Sequence, residues 1–211
     1  LAMSWLVQRW QASALLLIGS VLASVLMAAS GFFTDAGALM AQRALAGVAS
    51  ALVFSTGGLL AARLAARVPQ RSGFLLGLYY GGTGLGIVVS ALGVPWLLDL
   101  AGSRPHAWAW AWWGLAVACA LACACLFWPA RLLAAQPPPV AHVAGDDAVR
   151  SARRFRWRDF GFALAGYAAF GVGYIGYMTF VIALLREQGN SGVAITVFYA
   201  LLGLAVVASS R

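Results

Sequence analysis

Six stretches of this 211-residue chain carry no charged side chain: residues 10–34, 44–62, 72–98, 105–130, 160–185 and 188–210. A helix rises about 1.5 Å per residue, so it takes about 20 apolar residues to cross a bilayer core of about 30 Å. Every stretch reaches or nearly reaches that length, and each is predicted to be a transmembrane helix. The whole chain is 63% hydrophobic and 9% charged, whereas a soluble domain carries about 25% charged residues. A soluble globular fold is excluded, and an all-α polytopic membrane protein with six visible spans takes its place. The expected helices run over 11–33, 40–66, 73–98, 107–128, 160–185 and 192–209.

The 14 basic residues are all arginine. If each run crosses once, one side of the membrane collects Arg9, Arg63, Arg67, Arg71, Arg131, Arg150, Arg153, Arg154, Arg156, Arg158 and Arg211, and the other only Arg43, Arg104 and Arg186. Positively charged loops stay in the cytoplasm. Both ends of the chain and residues 129–158 are therefore expected to be cytoplasmic. Basic residues confined between apolar runs are what membrane orientation produces, so the net charge of +8 does not point to nucleic acid.

Most connections are short, and Gly37, Pro105 and Gly189 are expected to help form the tight extracytoplasmic turns. The exception is 129–158, which opens with Pro129, contains Pro137, Pro138 and Pro139, and closes on a basic stretch. It reads as an exposed linker between two bundles. The expected division is 1–128 for one group of helices, 129–158 for the linker, and 159–211 for the start of a second group. Residues 1–8 read as the end of an earlier helix, so the chain is expected to be a piece of a longer protein.

Arg43 followed by Gly47 and small residues, within Leu39–Ala51, resembles the fourth-helix motif of the major facilitator superfamily of secondary transporters. The segments Tyr79–Gly86, Gly173–Phe180 and Gly203–Arg211 resemble the bacterial YbfB/YjiJ family within it. The resemblance implies a twelve-helix, two-bundle transporter of which these spans are the third to eighth. It also implies alternating access, a small organic solute and the bacterial inner membrane. No nucleophile–base pair, phosphate loop or metal ligand set appears in the sequence, so neither enzymatic activity nor a cofactor is expected; the sequence leaves the oligomeric state open, with a monomer favoured. In the loop motif expected after the second helix, Gln8 stands where the family carries an acid.

Arg43 is the most informative charge, because an arginine at mid-membrane costs about 2.5–3.5 kcal/mol on insertion scales. It either snorkels to the interface or turns into a cleft, where it holds an anion or pairs with a neighbouring helix. Ser50 follows on the same helical face, with Gly47, Phe54 and Gly57. Tyr79 and Thr83, four apart, are expected to line the cleft. So are Tyr174 and Tyr177, from an aromatic stripe with Tyr167 and Phe170. Gly47, Gly73, Gly77, Gly81, Gly86, Gly173 and Gly176 are the expected packing or gating glycines, since lipid-embedded helices associate by close backbone contact.

No carboxylate falls within a span, and His106 and His142 lie outside the uncharged cores, so ion coupling is expected to use residues elsewhere. Cys119, Cys123 and Cys125 sit on one helix with no third ligand type near them, and no metal site is expected. Trp108, Trp110, Trp112 and Trp113 read as an interfacial aromatic belt. Two competing readings are a membrane scaffold or sensor using the basic linker, and a membrane-embedded lipid-modifying enzyme.

Overall fold

The computed structural model describes residues 10–134 and 157–209, with backbone only at 134 and 157–160. Residues 135–156 of the expected linker, including its arginines from Arg150 to Arg156, lie outside the described residues. Six helices appear in chain order: α1 (Ala12–Ala29), α2 (Ala36–Arg67), α3 (Ser72–Ala101), α4 (Ala107–Ala134), α5 (Trp157–Glu187) and α6 (Gly192–Ser209), with a single 3₁₀ turn at Pro69–Arg71 between α2 and α3. All six are long and apolar enough to cross a membrane, as the uncharged runs require. Among the described residues there is no strand.

Local chemistry sets the helix ends. The Asp35 carboxylate accepts from the Ala38 backbone N–H at 2.8 Å, satisfying one of the donors a helix start leaves open. This cap starts α2 at Ala36, four residues before the expected position, and takes Gly37 out of the turn and into the helix. Arg43 consequently stands two turns deep rather than one. At the other end of α1, the backbone N–H of Ser30 bonds to Leu26 O and its hydroxyl does the same at 3.1 Å, closing the helix before residue 33.

Gly102, the C-cap of α3, has φ 56° and ψ −133°, a conformation glycine alone adopts without cost. Gly189 (φ 77°) ends α5. There the Gly189 N–H bonds to Arg186 O and the Asn190 N–H to Leu185 O, both at 3.0 Å, the paired bonds of a Schellman stop. The helix α4 carries past Pro129 to Ala134, so it outruns its expected end at 128. Proline removes one N–H from the ladder, and α4 absorbs that loss, as α3 does at Pro95.

The chain divides into two compact units, one of residues 1–139 with 198–211, the other of 140–197. In the first unit α1 packs on α2 and α4, and α3 packs on the same two helices. The residues sealed between them are mostly small: Ala49, Thr56, Ser30 and Ala109 have no exposed surface. Large side chains such as Leu22, Val25, Leu45, Val48, Leu78 and Leu85 point outward. This inversion fits lipid, which takes up leucine and valine at no cost, while close helix packing needs small residues. Buried hydroxyls find partners on their own helix, with Ser20 donating to Leu16 O at 2.8 Å and Thr56 to Leu52 O at 2.7 Å.

The closest backbone approaches fall at glycines. A Cβ on Gly114 would strike the Leu97 side chain, and one on Gly57 would lie 2.9 Å from the Tyr79 hydroxyl. At Gly84 it would strike the carbonyl of Gly203, and at Gly203 it would lie 2.7 Å from that of Gly84. Thus α3 and the end of α6 cross with backbones touching. In the second unit, described by itself, Phe170 stacks on Tyr174 at 5.9 Å and Tyr167 follows Phe170 at 6.4 Å. These rings form one continuous column along α5.

Candidate functional site

A cavity of about 420 Å³ opens between α1, α2 and α4. Its polar wall consists of Ser20 from α1, Gln42, Arg43 and Ser50 from α2, and Cys119 and Cys123 from α4. The remainder is alanine, leucine, methionine and valine. On α2 the lining positions 42, 43, 46, 50 and 53 recur at helical spacing, so one face of that helix supplies them all. Arg43 and Ser50 are exposed where they line the cavity.

Gln42 is the most buried polar side chain of this wall, with 4% of its surface exposed. Its Nε2 donates to Leu26 O at 2.7 Å and to Ser30 Oγ at 2.8 Å, both at the C-terminal end of α1. The bond to a backbone carbonyl fixes which end of the amide is nitrogen, since only nitrogen can donate. The other end, Oε1, is buried and has no hydrogen-bond partner. Buried polar atoms are nearly always paired, so this one marks a place where a partner is wanted.

Next along the chain, the Arg43 guanidinium lies over the indole ring of Trp112 on α4, 4.2 Å from its centroid. That contact is a cation–π interaction, which holds the side chain across the α2–α4 gap without using up its N–H donors. No carboxylate or other hydrogen-bonding group pairs with it among the described residues. On its far side a second cavity of about 470 Å³ is lined by Ser30, Phe33, Thr34, Leu39, Arg43, Trp108 and Trp112. Arg43 thus lines both cavities, and the Gln42–Ser30 hydrogen bond joins a residue of the first to a residue of the second.

A third hollow of about 490 Å³ lies between α3 and α4, lined by Val89, Gly93, Trp96, Leu97, Leu100, Trp110, Trp113, Gly114, Leu115, Val117 and Ala118. Apart from the indole N–H groups of its three tryptophans, its side chains are hydrocarbon. The buried Nε1 of Trp113 also lacks a partner, but it is packed against Gly31 in the turn after α1, where a Cβ would strike it.

The structure brings only part of the expected set together. Arg43 and Ser50 share the first cavity. Tyr79 is elsewhere, its hydroxyl donating to Phe54 O at 2.7 Å across the α2–α3 contact, with its ring among those of Phe54 and Tyr80. Thr83 is exposed on α3. Tyr174 and Tyr177 belong to the second unit and are partly exposed there. A Cβ on Gly47, Gly73, Gly86, Gly173 or Gly176 would meet nothing within 4 Å among the described residues, whereas Gly81 is buried. Of the four tryptophans read as a belt, Trp112 and Trp113 pack onto Arg43 and Gly31, while the Arg104 guanidinium lies over Trp110 at 5.0 Å.

Gln42 was passed over in the sequence because it bears no charge. The available signal was an uncharged amide inside an apolar helix, directly beside the one deep arginine. Ser20, Cys119 and Cys123 carried no comparable signal. Among the described residues no group of three or more His, Cys, Asp or Glu side chains is placed to hold a metal ion.

Six apolar helices, small residues turned inward and a polar-walled cavity among them define an all-α polytopic membrane protein. A family model described as "Uncharacterised MFS-type transporter YbfB" matches residues 1–210. The chain belongs to that family, and so to the transporters of the major facilitator superfamily. Comparison with curated proteins finds no match, and neither does comparison with solved structures.

Proposed function

We propose that this chain is part of a secondary transporter of the bacterial inner membrane, moving a small organic solute by alternating access with the α1/α2/α4 cavity on the solute's path. The observation that carries this reading is Arg43. An arginine two turns inside an apolar helix, exposed to a cavity and with no acid beside it among the described residues, is costly to keep in a membrane. That cost is understandable where the charge meets a solute. Ser50 lines the same path. Tyr79 joins helices through its bond to Phe54 O, and Thr83, Tyr174 and Tyr177 stand in reserve for other conformations of the cycle. Residues 1–128 contribute to one bundle, 129–158 form the cytoplasmic linker, and 159–211 begin the second bundle.

The test is uptake by the full-length protein in proteoliposomes against a broad panel of metabolites. Wild-type protein accumulates at least one solute, and Arg43→Ala does not. A panel in which wild-type protein moves nothing, while related transporters reconstituted alongside it do, overturns the reading.

A further inference from the structure

Gln42 and Arg43 stand side by side on α2. These two neighbours line one cavity with complementary unmet needs. Arg43 offers a guanidinium whose ring contact with Trp112 leaves its N–H donors unspent. Gln42 offers an amide oxygen that no group satisfies.

We propose that the cavity selects an organic anion that also carries an N–H or O–H donor on an apolar body. The anionic group meets Arg43 and the donor meets Gln42 Oε1. This assignment rests on the reading that the cavity lies on the solute's path. Each part follows from a separate observation. The cavity wall contains one positive charge and no carboxylate, so a cation is repelled and a neutral molecule leaves the charge unmatched. The two bonds from Gln42 Nε2 to Leu26 O and Ser30 Oγ hold the amide in one orientation, so what it presents is an acceptor, which a donor-free anion leaves empty. Ala23, Met27, Ala46, Val53, Ala122 and Leu126 complete the wall and suit a hydrocarbon body. The volume of about 420 Å³ lies in the range of small-molecule sites, about 300–1,000 Å³.

The discrimination is expected to be strong because it works through an unpaired buried atom. A site built to hydrogen-bond a solute loses more with an analogue lacking the group than it loses from a missing methylene, since the protein atom is then buried and unpaired. In this arrangement Oε1 is enclosed, so a solute donor reaches it only as the side chains around Gln42 move apart while the solute settles against α2.

Cys119 and Cys123 line the cavity and supply a built-in readout. The full-length protein carrying Cys125→Ser is labelled with N-ethylmaleimide in the presence of three matched probes: 2-hydroxy-4-methylpentanoate, 4-methylpentanoate, and 4-methylpentane-1,2-diol. The hydroxy acid is expected to protect the thiols at a concentration about tenfold below the deoxy acid, as one lost hydrogen bond to a buried acceptor implies. The diol, lacking the anion, protects least. Gln42→Met, close in volume but without an acceptor, brings the two acids to within about twofold of each other. Arg43→Gln removes the preference for acid over diol. Unchanged labelling of both variants without probe shows that they are folded.

Equal protection by the two acids in wild-type protein overturns the proposal, because water then satisfies Oε1. So does protection by the diol as strong as by the acids, and so does the absence of protection by all three. Because the wild-type comparison needs no variant, a misfolded Gln42→Met leaves it decisive. Uptake of the same probes into proteoliposomes separates the two claims. Protection without uptake retains the binding chemistry and removes the transport reading. Uptake of another solute without protection by these probes does the reverse.

Discussion

The cavity between α1, α2 and α4 and the hollow between α3 and α4 enclose similar volumes, about 420 and 490 Å³. Both lie in the same unit, and alanine, leucine and valine contribute to both walls. They differ in what the wall leaves undone. One holds an unpaired guanidinium and an orphaned amide oxygen. The other holds hydrocarbon and indole, which a lipid chain covers as well as protein does. In a membrane, where apolar space is filled by the solvent itself, volume says little about function and unmet polarity says a great deal.

The largest expected effect breaks this contrast at its root. Removing the charge with Arg43→Ala lowers solute uptake about 30-fold or more, since a desolvated charge contact is worth about 2–5 kcal/mol. Initial rates in proteoliposomes, compared at equal protein content, show it. Filling the two spaces comes next. Ala46→Phe, in the polar-walled cavity, lowers uptake about tenfold, while Ala118→Phe, in the apolar hollow, leaves it within about twofold, as both additions face existing space rather than tight packing. Equal losses from both substitutions would erase the distinction.

Two smaller effects sharpen it by isolating packing from solute chemistry. Gly84→Ala puts a methyl group onto the Gly203 carbonyl and costs about 1 kcal/mol of stability. It is read as a lower midpoint in thermal unfolding of the detergent-solubilised protein, with the solute preference unaltered. Smallest is Tyr79→Phe, which gives up the bond to Phe54 O. Interhelical side-chain hydrogen bonds in membranes average about 0.6 kcal/mol, so a slight loss of thermal stability and unchanged uptake are expected.

Much of the fold was legible because charge is forbidden in lipid. The six uncharged runs became six helices, and the breaks at 102–106 and 188–191 fell between them as the charges predicted. Helix ends were read less well. The Asp35 cap starts α2 four residues before the expected position, which sets Arg43 a turn deeper. The candidate site was legible only through its charge. Gln42 has none, so it disappeared into the apolar count, although its amide is the buried centre of the wall. Tyr79 and Thr83 share a helical face in sequence terms, yet Gly57 opens a slot that takes Tyr79 against α2 and leaves Thr83 outside. Spacing along one helix gives a face, and the neighbour's smallest residue decides which side chain enters.

The amide of Gln42 is carried by α2 and aimed by α1, since both of its N–H bonds end on Leu26 and Ser30. Its free oxygen therefore has a fixed position only while those two helices keep their alignment. Sliding α1 by one turn, about 5.4 Å, would break both bonds and release the side chain to rotate. The recognition chemistry of the wall is in this sense a gauge of helix register, with its acceptor set in one alignment and dispersed in another.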